Sequence, residues 1–488
     1  MITTITQSPL FPIANPKSIA FFGASNNYAA MGSSILTTII TDGYEGSIYP
    51  IHPKEKTVLN LTAYADVRDL PEIPDMAFIV LPTKIVVQTL KACGEKGIGH
   101  AVIVSAGFNE VGGEGVDLQK QLQHIADHYQ IRFTGPNCIG VVNSHAQFNA
   151  TFLPSKGNKG FIGMASQSGS FITQMFSFLD DRYGQGFSTG FSLGNEANID
   201  MVDCIEYLGA CPNTRVIGLY IESIRQGQKF IKTARRVSLI KPIVAFYAGG
   251  SETGKRACLS HTGSLSGPDR LYDGVFRQSG IIRAHSIEEL FDFCYALGTS
   301  PLPRGNRLIV QTHSGGPGAA AADACERCGL ELPQLSAETL EKLSPFIPHT
   351  GSANNPIDLT YTKNPLDFFH GIPKVLLEEK GTDGMLIYFL ASAKMVRTAL
   401  IGMGVPKEEL DTQIENIIDA QCNAIASLVT THGKPIVGFS FLTRDNDFIA
   451  GIQDKGVPVL PSPERAARAF GAMVDYARLK GKLIQQKV

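Results

Sequence analysis

Residues 247–267, Tyr-Ala-Gly-Gly-Ser-Glu-Thr-Gly-Lys-Arg-Ala-Cys-Leu-Ser-His-Thr-Gly-Ser-Leu-Ser-Gly, set one histidine, His261, among glycine and hydroxyl residues. The run reads as a long flexible loop able to move a reactive imidazole. Gly249, Gly254 and Lys255 fit G-x-x-x-x-G-K, but Arg256 stands where a phosphate loop needs Ser or Thr for its metal, so that match fails at its last position. A histidine nucleophile needs one ring nitrogen free and the other held as a donor, which a carboxylate does by fixing the tautomer and stabilising the developing charge. Glu222 follows the apolar run Val216-Ile217-Gly218-Leu219-Tyr220-Ile221, at the strand end where ligands of a parallel sheet collect. Taken alone, a glutamate in that position is more often a surface residue.

A phosphoryl group on a histidine carries close to two negative charges and needs positive potential without a permanent salt bridge. Helix N-termini supply it, with about half a charge each and free N–H donors. Two glycine-rich helix starts offer this, Ser166-Gln167-Ser168-Gly169-Ser170 and Ser314-Gly315-Gly316-Pro317-Gly318, and their glycines let backbone approach an anion closely. Either run alone is equally well an ordinary strand-to-helix turn.

A third candidate lies near the N-terminus. Strand Ile19-Ala20-Phe21-Phe22 leads to Gly23-Ala24-Ser25 and then to Met31-Gly32-Ser33 at a helix start, an arrangement that can hold a phosphate. G-x-G-x-x-G is absent, and Tyr49-Pro50-Ile51-His52-Pro53-Lys54 stands where a ribose-binding acid would close the second strand, which argues against NAD. Lys54 is placed to pair with a phosphate; a turn without a ligand is the alternative. Elsewhere, His124 and His128 sit i, i+4 without a third metal ligand, and Cys325-x-x-Cys328 has no second pair, so both read as helix surface or packing.

The elements that must hold these residues are short runs rich in Val, Ile and Phe at 19–22, 47–51, 76–81, 101–105, 161–164, 187–191, 215–221, 242–246, 307–312, 385–390 and 435–440, separated by helix-length segments. The alternation predicts parallel sheets wrapped by helices. Breaks near 144–160 and 299–306 divide the chain into three α/β units, and the second and third open alike, strand then glycine turn then apolar helix. A length of 488 residues agrees with about three domains of roughly 150 residues. A net charge of −2 without blocks of like charge leaves no footprint for nucleic acid or anionic lipid. Nine scattered cysteines suit a reducing compartment, and with neither a leader pattern nor a membrane-length apolar run the expectation is a soluble cytoplasmic protein.

From Gly254 through Ser-His-Thr-Gly-Ser-Leu-Ser-Gly the chain resembles the phosphohistidine loop of the nucleoside-diphosphate-forming acyl-CoA synthetases, the family of succinyl-CoA synthetase. Gly23-Ala24-Ser25, Pro53-Lys54, Leu81-Pro82, Ser105-Ala106-Gly107-Phe108 with Glu110, and Gly135-Pro136-Asn137-Cys138-Ile139-Gly140 resemble that family's CoA-binding segments, in order. The resemblance runs from about Pro16 to the helix around Glu464 and is to the α-subunit type of the ADP-forming acetyl-CoA synthetases. It implies a Rossmann-like CoA-binding domain at 1–147 and two flavodoxin-like ligase domains at 148–302 and 303–488, the first with the phosphohistidine loop. It also implies that Glu222 holds the His261 ring and that the two glycine turns wall one phosphate site.

Phe171, Thr173 and Gln174 fall at the family's acyl contacts, and Thr173 replaces a tyrosine of succinyl-CoA synthetase, so the acid is not tied to succinate. Asn355-Pro356-Ile357-Asp358 matches a recurrent segment without a role beyond lining the site. Cys138 reads as a neighbour of the CoA thiol rather than a nucleophile, since nothing near it in sequence would lower its pKa. No segment remains for the family's ATP-grasp module. ADP or ATP with Mg²⁺ is therefore expected on a separate β subunit, in an α₂β₂-like assembly. The implied reaction is acyl-CoA + ADP + phosphate ⇌ carboxylic acid + CoA + ATP, through an acyl phosphate and a phosphohistidine. A non-catalytic CoA- or acyl-CoA-sensing subunit is the alternative; a protein-acetylating scaffold would need an acetyltransferase domain that is not visible.

Overall fold

Strands that are covered by helices on both faces need apolar side chains at every position, and the chain's apolar runs become such strands. The computed structural model describes residues 4–155, 158–262, 267–360 and 364–485, the side chains of 257 and 259–262 excepted. In chain order the first strands are β1 (Ser18–Phe22), β2 (Ser47–Ile51), β3 (Thr57–Val58), β4 (Leu61–Thr62), β5 (Met76–Ile79), β6 (His100–Ile103) and β7 (Arg132–Thr134). β3 and β4 form a small hairpin, while the others make a parallel sheet in the order β2-β1-β5-β6-β7. All five residues of β1 are buried.

A second sheet holds β8 (Val141–Asn143), β9 (Phe148–Ala150), β10 (Ile162–Ser166), β11 (Phe187–Ser192), β12 (Val216–Ile221), β13 (Ile243–Tyr247) and β14 (Ile282–Ala284), in the order β14-β13-β12-β10-β11-β8-β9. The break expected near 144–160 thus partly falls inside structure. β8 and β9 are an antiparallel edge on β11, joined through the Asn143 side chain, which accepts from the His145 and Ala146 amides.

The third sheet holds β15 (Leu308–Thr312), β16 (Ile357–Asp358), β17 (Gly384–Tyr388), β18 (Ile436–Phe439) and β19 (Val459–Leu460), parallel in the order β16-β15-β17-β18-β19. The parallel strands of all three sheets therefore follow one winding: the first strand lies inside, the second to one side, and the later ones run off to the other. Between its first and third strands each sheet has a topological switch point, where crossover helices leave in opposite directions and a crevice opens at the carboxyl ends.

The chain divides into two compact units, Met1–Asp180 with Gln185–His285, and Asp181–Gly184 with Ser286–Val488. Helix Ile287–Thr299 belongs to the second of these compact units. It packs on helix Pro463–Gln485, where Arg465 Nε lies 2.7 Å from Asp292 Oδ2 and the Tyr183 hydroxyl donates to Asp292 Oδ1 at 2.6 Å. Among the described residues no helix is long and apolar enough to cross a membrane.

The run expected to be a long loop differs most. Glu252–Thr262 is a helix. Ser251 starts it: its Oγ accepts the Gly254 amide at 3.0 Å and its carbonyl accepts the Lys255 amide at 2.8 Å. Lys255, Arg256, Ala257 and Leu259 are strong helix formers and outweigh Gly254.

Candidate active site

In the first sheet, the expected CoA residues gather at the carboxyl ends of β1, β2, β5, β6 and β7. Gly23 has φ +98°, and a Cβ there would stand 1.9 Å from the Val80 carbonyl oxygen, so only glycine fits this turn. Ser33, in the first turn of helix Met31–Thr41, fixes the turn: its Oγ donates to Ser25 O at 2.8 Å and accepts the Ser25 amide at 3.0 Å. Ala24 is buried beneath, and Pro53 and Lys54 are exposed just after β2.

Pro82 precedes helix Thr83–Lys96, and Ala106 is exposed with its carbonyl accepting Thr83 Oγ1 at 2.6 Å. Ser105 is committed to the scaffold, its hydroxyl donating to Leu81 O at 2.6 Å and accepting the Leu81 amide at 3.0 Å. Glu110 and Asn137 tie this cleft to the second sheet through Asn195. Glu110 Oε1 accepts the Gly107 and Phe108 amides at 2.5 and 3.1 Å, its Oε2 accepts Asn195 Nδ2 at 2.5 Å, and Asn137 Nδ2 donates to Asn195 Oδ1 at 3.4 Å. Cys138 is buried and its thiol is pushed up to about 12 by burial, which removes it as a nucleophile.

At the switch point of the second sheet, between β10 and β12, Gln167 spans the crevice. Its amide donates to Tyr220 O at 3.2 Å, and its Oε1 accepts the Glu222 and Ser223 amides at 2.5 and 3.0 Å. Its Nε2 donates to Ser223 O at 2.9 Å and to Glu196 Oε2 at 2.8 Å. Glu222 is 3% exposed, so the structure places it inside rather than on the surface. Glu196 is buried with φ +49°, and its other oxygen accepts the Met201 amide at 3.0 Å. Burial lifts its carboxyl to about 7, against the lowering effect of Gln167 and Arg225.

The glycine turn follows at once. Ser166 Oγ donates to Ser168 O at 2.8 Å, Gly169 is half-buried and Ser170 exposed, and helix Phe171–Tyr183 begins there. A Cβ on Gly169 would meet only Asn137 O and an Ile139 methyl, each at 4.0 Å, so the turn stands beside the CoA-domain segment 137–139. Phe171 packs on Tyr220 with ring centroids 4.7 Å apart. Thr173 is buried and its hydroxyl donates to Ser170 O at 3.0 Å, which braces the turn.

Helix Glu252–Thr262 brings His261 into this neighbourhood. It packs on the short helix Asn109–Val111 that contains Glu110. Burial pushes the Tyr220 phenol up to about 12, with smaller contributions from the nearby Glu222 and from Cys258 on the buried face of helix Glu252–Thr262. The backbone of His261 forms the last turn of this helix. Its side chain, like residues 263–266, lies outside the described residues.

In the second unit, Gly315, Gly316 and Gly318 open helix Gly315–Arg327, with Gly315 and Gly316 exposed and Gly318 buried. The Gly318 amide bonds to Ser314 O at 3.4 Å and Pro317 has no N–H, which leaves Gly315 and Gly316 as the first-turn donors. Asn355 has a clear scaffold role: it accepts the Val310 amide at 3.0 Å and donates to Leu308 O and Pro333 O at 2.9 and 3.1 Å. His124 and His128 are exposed on helix Glu114–Tyr129, and among the described residues no group of His, Cys, Asp and Glu could hold a metal ion.

Glu196, Asn195 and the role of the Gln167 amide were not read from the sequence. The available signal was a polar pair, Asn195-Glu196, directly after β11, where its carboxyl end meets the ligand edge of the sheet.

Sequence profiles agree with this geometry. The family described as "CoA binding domain" matches residues 17–144, and "Succinyl-CoA ligase like flavodoxin domain" matches 159–297. The α subunit of acetate–CoA ligase [ADP-forming] II from Pyrococcus furiosus is 36% identical over 470 residues, 96% of this chain and 98% of the relative. The chain belongs to the ADP-forming acyl-CoA synthetases. Acetate–CoA ligase [ADP-forming] I from Archaeoglobus fulgidus is 39% identical over 467 residues, 96% of this chain but 64% of the relative. Among solved structures, the acetyl-coenzyme A synthetase 1 of Ca. Korarchaeum cryptofilum, determined with phosphate and ADP, superposes with a TM-score of 0.85 at 31% identity, covering 98% of this chain and 99% of that one. As a synthetase of this family the chain has a fold of the expected class: a Rossmann-like CoA-binding part followed by flavodoxin-like ligase parts.

Proposed function

We propose that this chain is the CoA-binding α subunit of an ADP-forming acyl-CoA synthetase, interconverting acyl-CoA, ADP and phosphate with a carboxylic acid, CoA and ATP. The observation that carries the reading is the Gln167 bridge. One side chain joins the glycine turn of helix Phe171–Tyr183 to the backbone of Glu222, so helix-start amides and a carboxylate share one crevice. A phosphoryl group in transit to an imidazole needs both.

Gly23, Ala24, Ser25, Pro53, Lys54, Pro82 and Ala106 are assigned the CoA cleft, with Ser105, Glu110 and Asn137 holding its shape. A phosphate oxygen attacks the thioester carbonyl carbon, the C–S bond breaks, CoA leaves as thiolate and acyl phosphate remains. A ring nitrogen of His261 attacks phosphorus, the bond to the acyl oxygen breaks and the carboxylate departs. Glu222 is assigned the other ring nitrogen, holding its N–H and offsetting the positive charge. The Ser168-Gly169-Ser170 amides stabilise the phosphoryl oxygens. Transfer to ADP breaks the P–N bond and restores the imidazole. Phe171 borders the acyl group.

We assign ADP and Mg²⁺ to a separate ATP-grasp β subunit in an α₂β₂ cytoplasmic assembly. The subunit naming of the Pyrococcus relative supports this, as does the third of the Archaeoglobus relative that lies outside the match. The test is His261→Ala in the assembled enzyme. It is expected to abolish the acid-labile, base-stable phosphoprotein and turnover while CoA still binds, and ATP formation by the variant would refute the mechanism. Glu222→Gln is expected to slow histidine phosphorylation more than it weakens CoA; equal loss of both would make Glu222 structural.

A further inference from the structure

The crevice of the third sheet, between β15 and β17, holds an apolar cavity of about 530 Å³ lined from His313 to Gln421. Between the first two sheets the filling is polar, and it is continuous. Residues 194–197, after β11, run beside the CoA-domain segment that follows β7. The Asn195 amide donates to Pro136 O at 2.9 Å, the Ala197 amide donates to Gly135 O at 3.1 Å, and a Cβ on Gly194 would stand 2.2 Å from Pro136 O. Asn195 is 1% exposed, and its side chain faces the CoA cleft: Nδ2 donates to Glu110 Oε2 and to Gln119 Oε1 at 2.5 and 3.1 Å, and Oδ1 accepts from Asn137. The next residue faces the other way. The buried Glu196 carboxylate accepts from Gln167 Nε2 and the Met201 amide, and Gln167 Oε1 accepts the Glu222 and Ser223 amides. From the Gly107 amide to the Glu222 amide the path therefore runs through Glu110, Asn195, Glu196 and Gln167, with one peptide unit between its two middle members.

The backbone of Glu196 is what turns these neighbouring side chains apart. Its φ of +49° is a left-handed conformation, which a glutamate keeps only where its surroundings fix it. On the CoA side it is fixed by the bonds of Asn195 and by the amide bonds to Gly135 and Pro136; on the other side by Gln167 and Met201, with Arg225 Nη1 donating to Glu196 O at 3.2 Å. With either set of ties removed, an ordinary φ becomes the lower-energy state, and that rotation carries the carboxylate away from Gln167. We propose that Asn195 and Glu196 are positioning residues that couple the two halves of the reaction: CoA seated in the cleft that Glu110 shapes, and Glu222 held ready for the imidazole, favour each other because one strained dipeptide holds both. Neither residue touches a reacting atom. The proposal rests on the synthetase reading and adds to it a regulation of the same site. Coupling between two sites is reciprocal, so a change at either end must be felt at the other.

The experiment uses this chain assembled with its nucleotide-binding partner subunit and makes two measurements. The first is hydrogen exchange of the Glu222 and Ser223 amides with and without saturating CoA. CoA is expected to slow both by at least about fivefold, and Asn195→Asp, which sets a second carboxylate against Glu110, is expected to erase the slowing. The second is phosphorylation of His261 by ATP with neither CoA nor acid present. Asn195→Asp is expected to slow it by about tenfold although CoA takes no part, and Glu196→Gln is expected to weaken CoA binding by about the same factor. Glu110→Gln combined with Asn195→Asp reverses the polarity of the 110–195 hydrogen bond and keeps an oxygen for the Gly107 and Phe108 amides. That pair is expected to restore phosphorylation and CoA affinity to within about threefold, which a general loosening of the fold would not allow. Effects confined to the altered side, exchange that saturating CoA leaves unchanged, or an Asn195→Asp defect that Glu110→Gln does not repair would each overturn the coupling and leave the synthetase standing. Exchange slowed by CoA in an enzyme that forms no phosphohistidine supports the coupling and overturns the synthetase, and absence of CoA binding overturns both.

Discussion

Replacing Glu196 by Gln tests the buried network that holds Glu222. The Glu196 carboxyl is lifted from its ordinary 4.5 to about 7 by burial. A raised carboxyl makes the folded state prefer the proton, so its contribution to stability is full below about pH 4.5 and is lost as pH rises through about 7. At about 1.4 kcal/mol per pKa unit the loss amounts to about 3 kcal/mol in total, of which about 2–3 kcal/mol falls between pH 5 and 8. Glutamine cannot ionise and lacks this loss. It brings a fixed penalty instead: both Glu196 oxygens accept, one from Gln167 Nε2 and one from the Met201 amide, so the new NH₂ must face a donor, at a cost of about 1–3 kcal/mol at every pH. The difference between wild type and variant isolates the titration, since the fixed penalty cancels. The chain has no tryptophan, so urea unfolding is followed by circular dichroism, and hydrogen exchange of residues 194–204 assigns the transition. The variant is expected to gain about 2–3 kcal/mol on wild type between pH 5 and pH 8. Stability curves that stay parallel over that range would falsify the reasoning.

Three further outcomes are expected. Gly23→Ala puts a Cβ 1.9 Å from the Val80 carbonyl at φ +98°, so CoA affinity should collapse and the first unit should lose about 1–3 kcal/mol of stability or more, read as a lower thermal midpoint; a melt and CoA titration matching wild type would contradict the turn geometry. Asp292→Ala leaves the Arg465 guanidinium without its carboxylate in a buried setting and is expected to destabilise the second unit by about 3–5 kcal/mol, measured by denaturant midpoint; a change under 1 kcal/mol would mean the pair is not desolvated as described. Native-state alkylation at pH 8 is expected to label half-buried Cys328 before Cys138, whose thiol is pushed up to about 12 by burial, and peptide mass spectrometry showing the reverse order would refute it.

The sheets were legible because strands buried on both faces need continuous apolar runs, and β1, β5, β12 and β17 carry such runs with little interruption. Short edge strands such as β8 and β9, three residues each, have no comparable pattern. Helix Glu252–Thr262 was hidden by its composition: glycine and hydroxyl residues on either side suggest a loop, while the Ser251 cap and the Lys-Arg-Ala-Cys-Leu stretch decide for helix. Glu222 could be picked out because a strand end announces itself. Its supports could not, since Gln167 lies 55 residues before it and Glu196 another 29 after Gln167, separations that no local spacing rule spans. The cavity of the third sheet was hidden for the same reason, being lined from His313 to Gln421 across several elements.

The repeated winding explains why the chemistry distributes as it does. A parallel sheet with its first strand inside has one crevice, at the switch point, where turns from two strands can converge on a ligand without a helix in the way. In the first sheet that place carries the Gly23 turn. In the second it carries Gln167, Glu222 and the turn before Phe171. In the third it carries Ser314 and an apolar cavity. Three crevices of one geometry are thus furnished with three sets of groups: a glycine turn open to close backbone approach, helix-start amides beside a buried carboxylate, and an apolar wall. Each set is held by its own sheet, so altering the apolar wall of the third crevice should leave the hydrogen bonds that Gln167 makes to the Glu222 backbone in the second as they are.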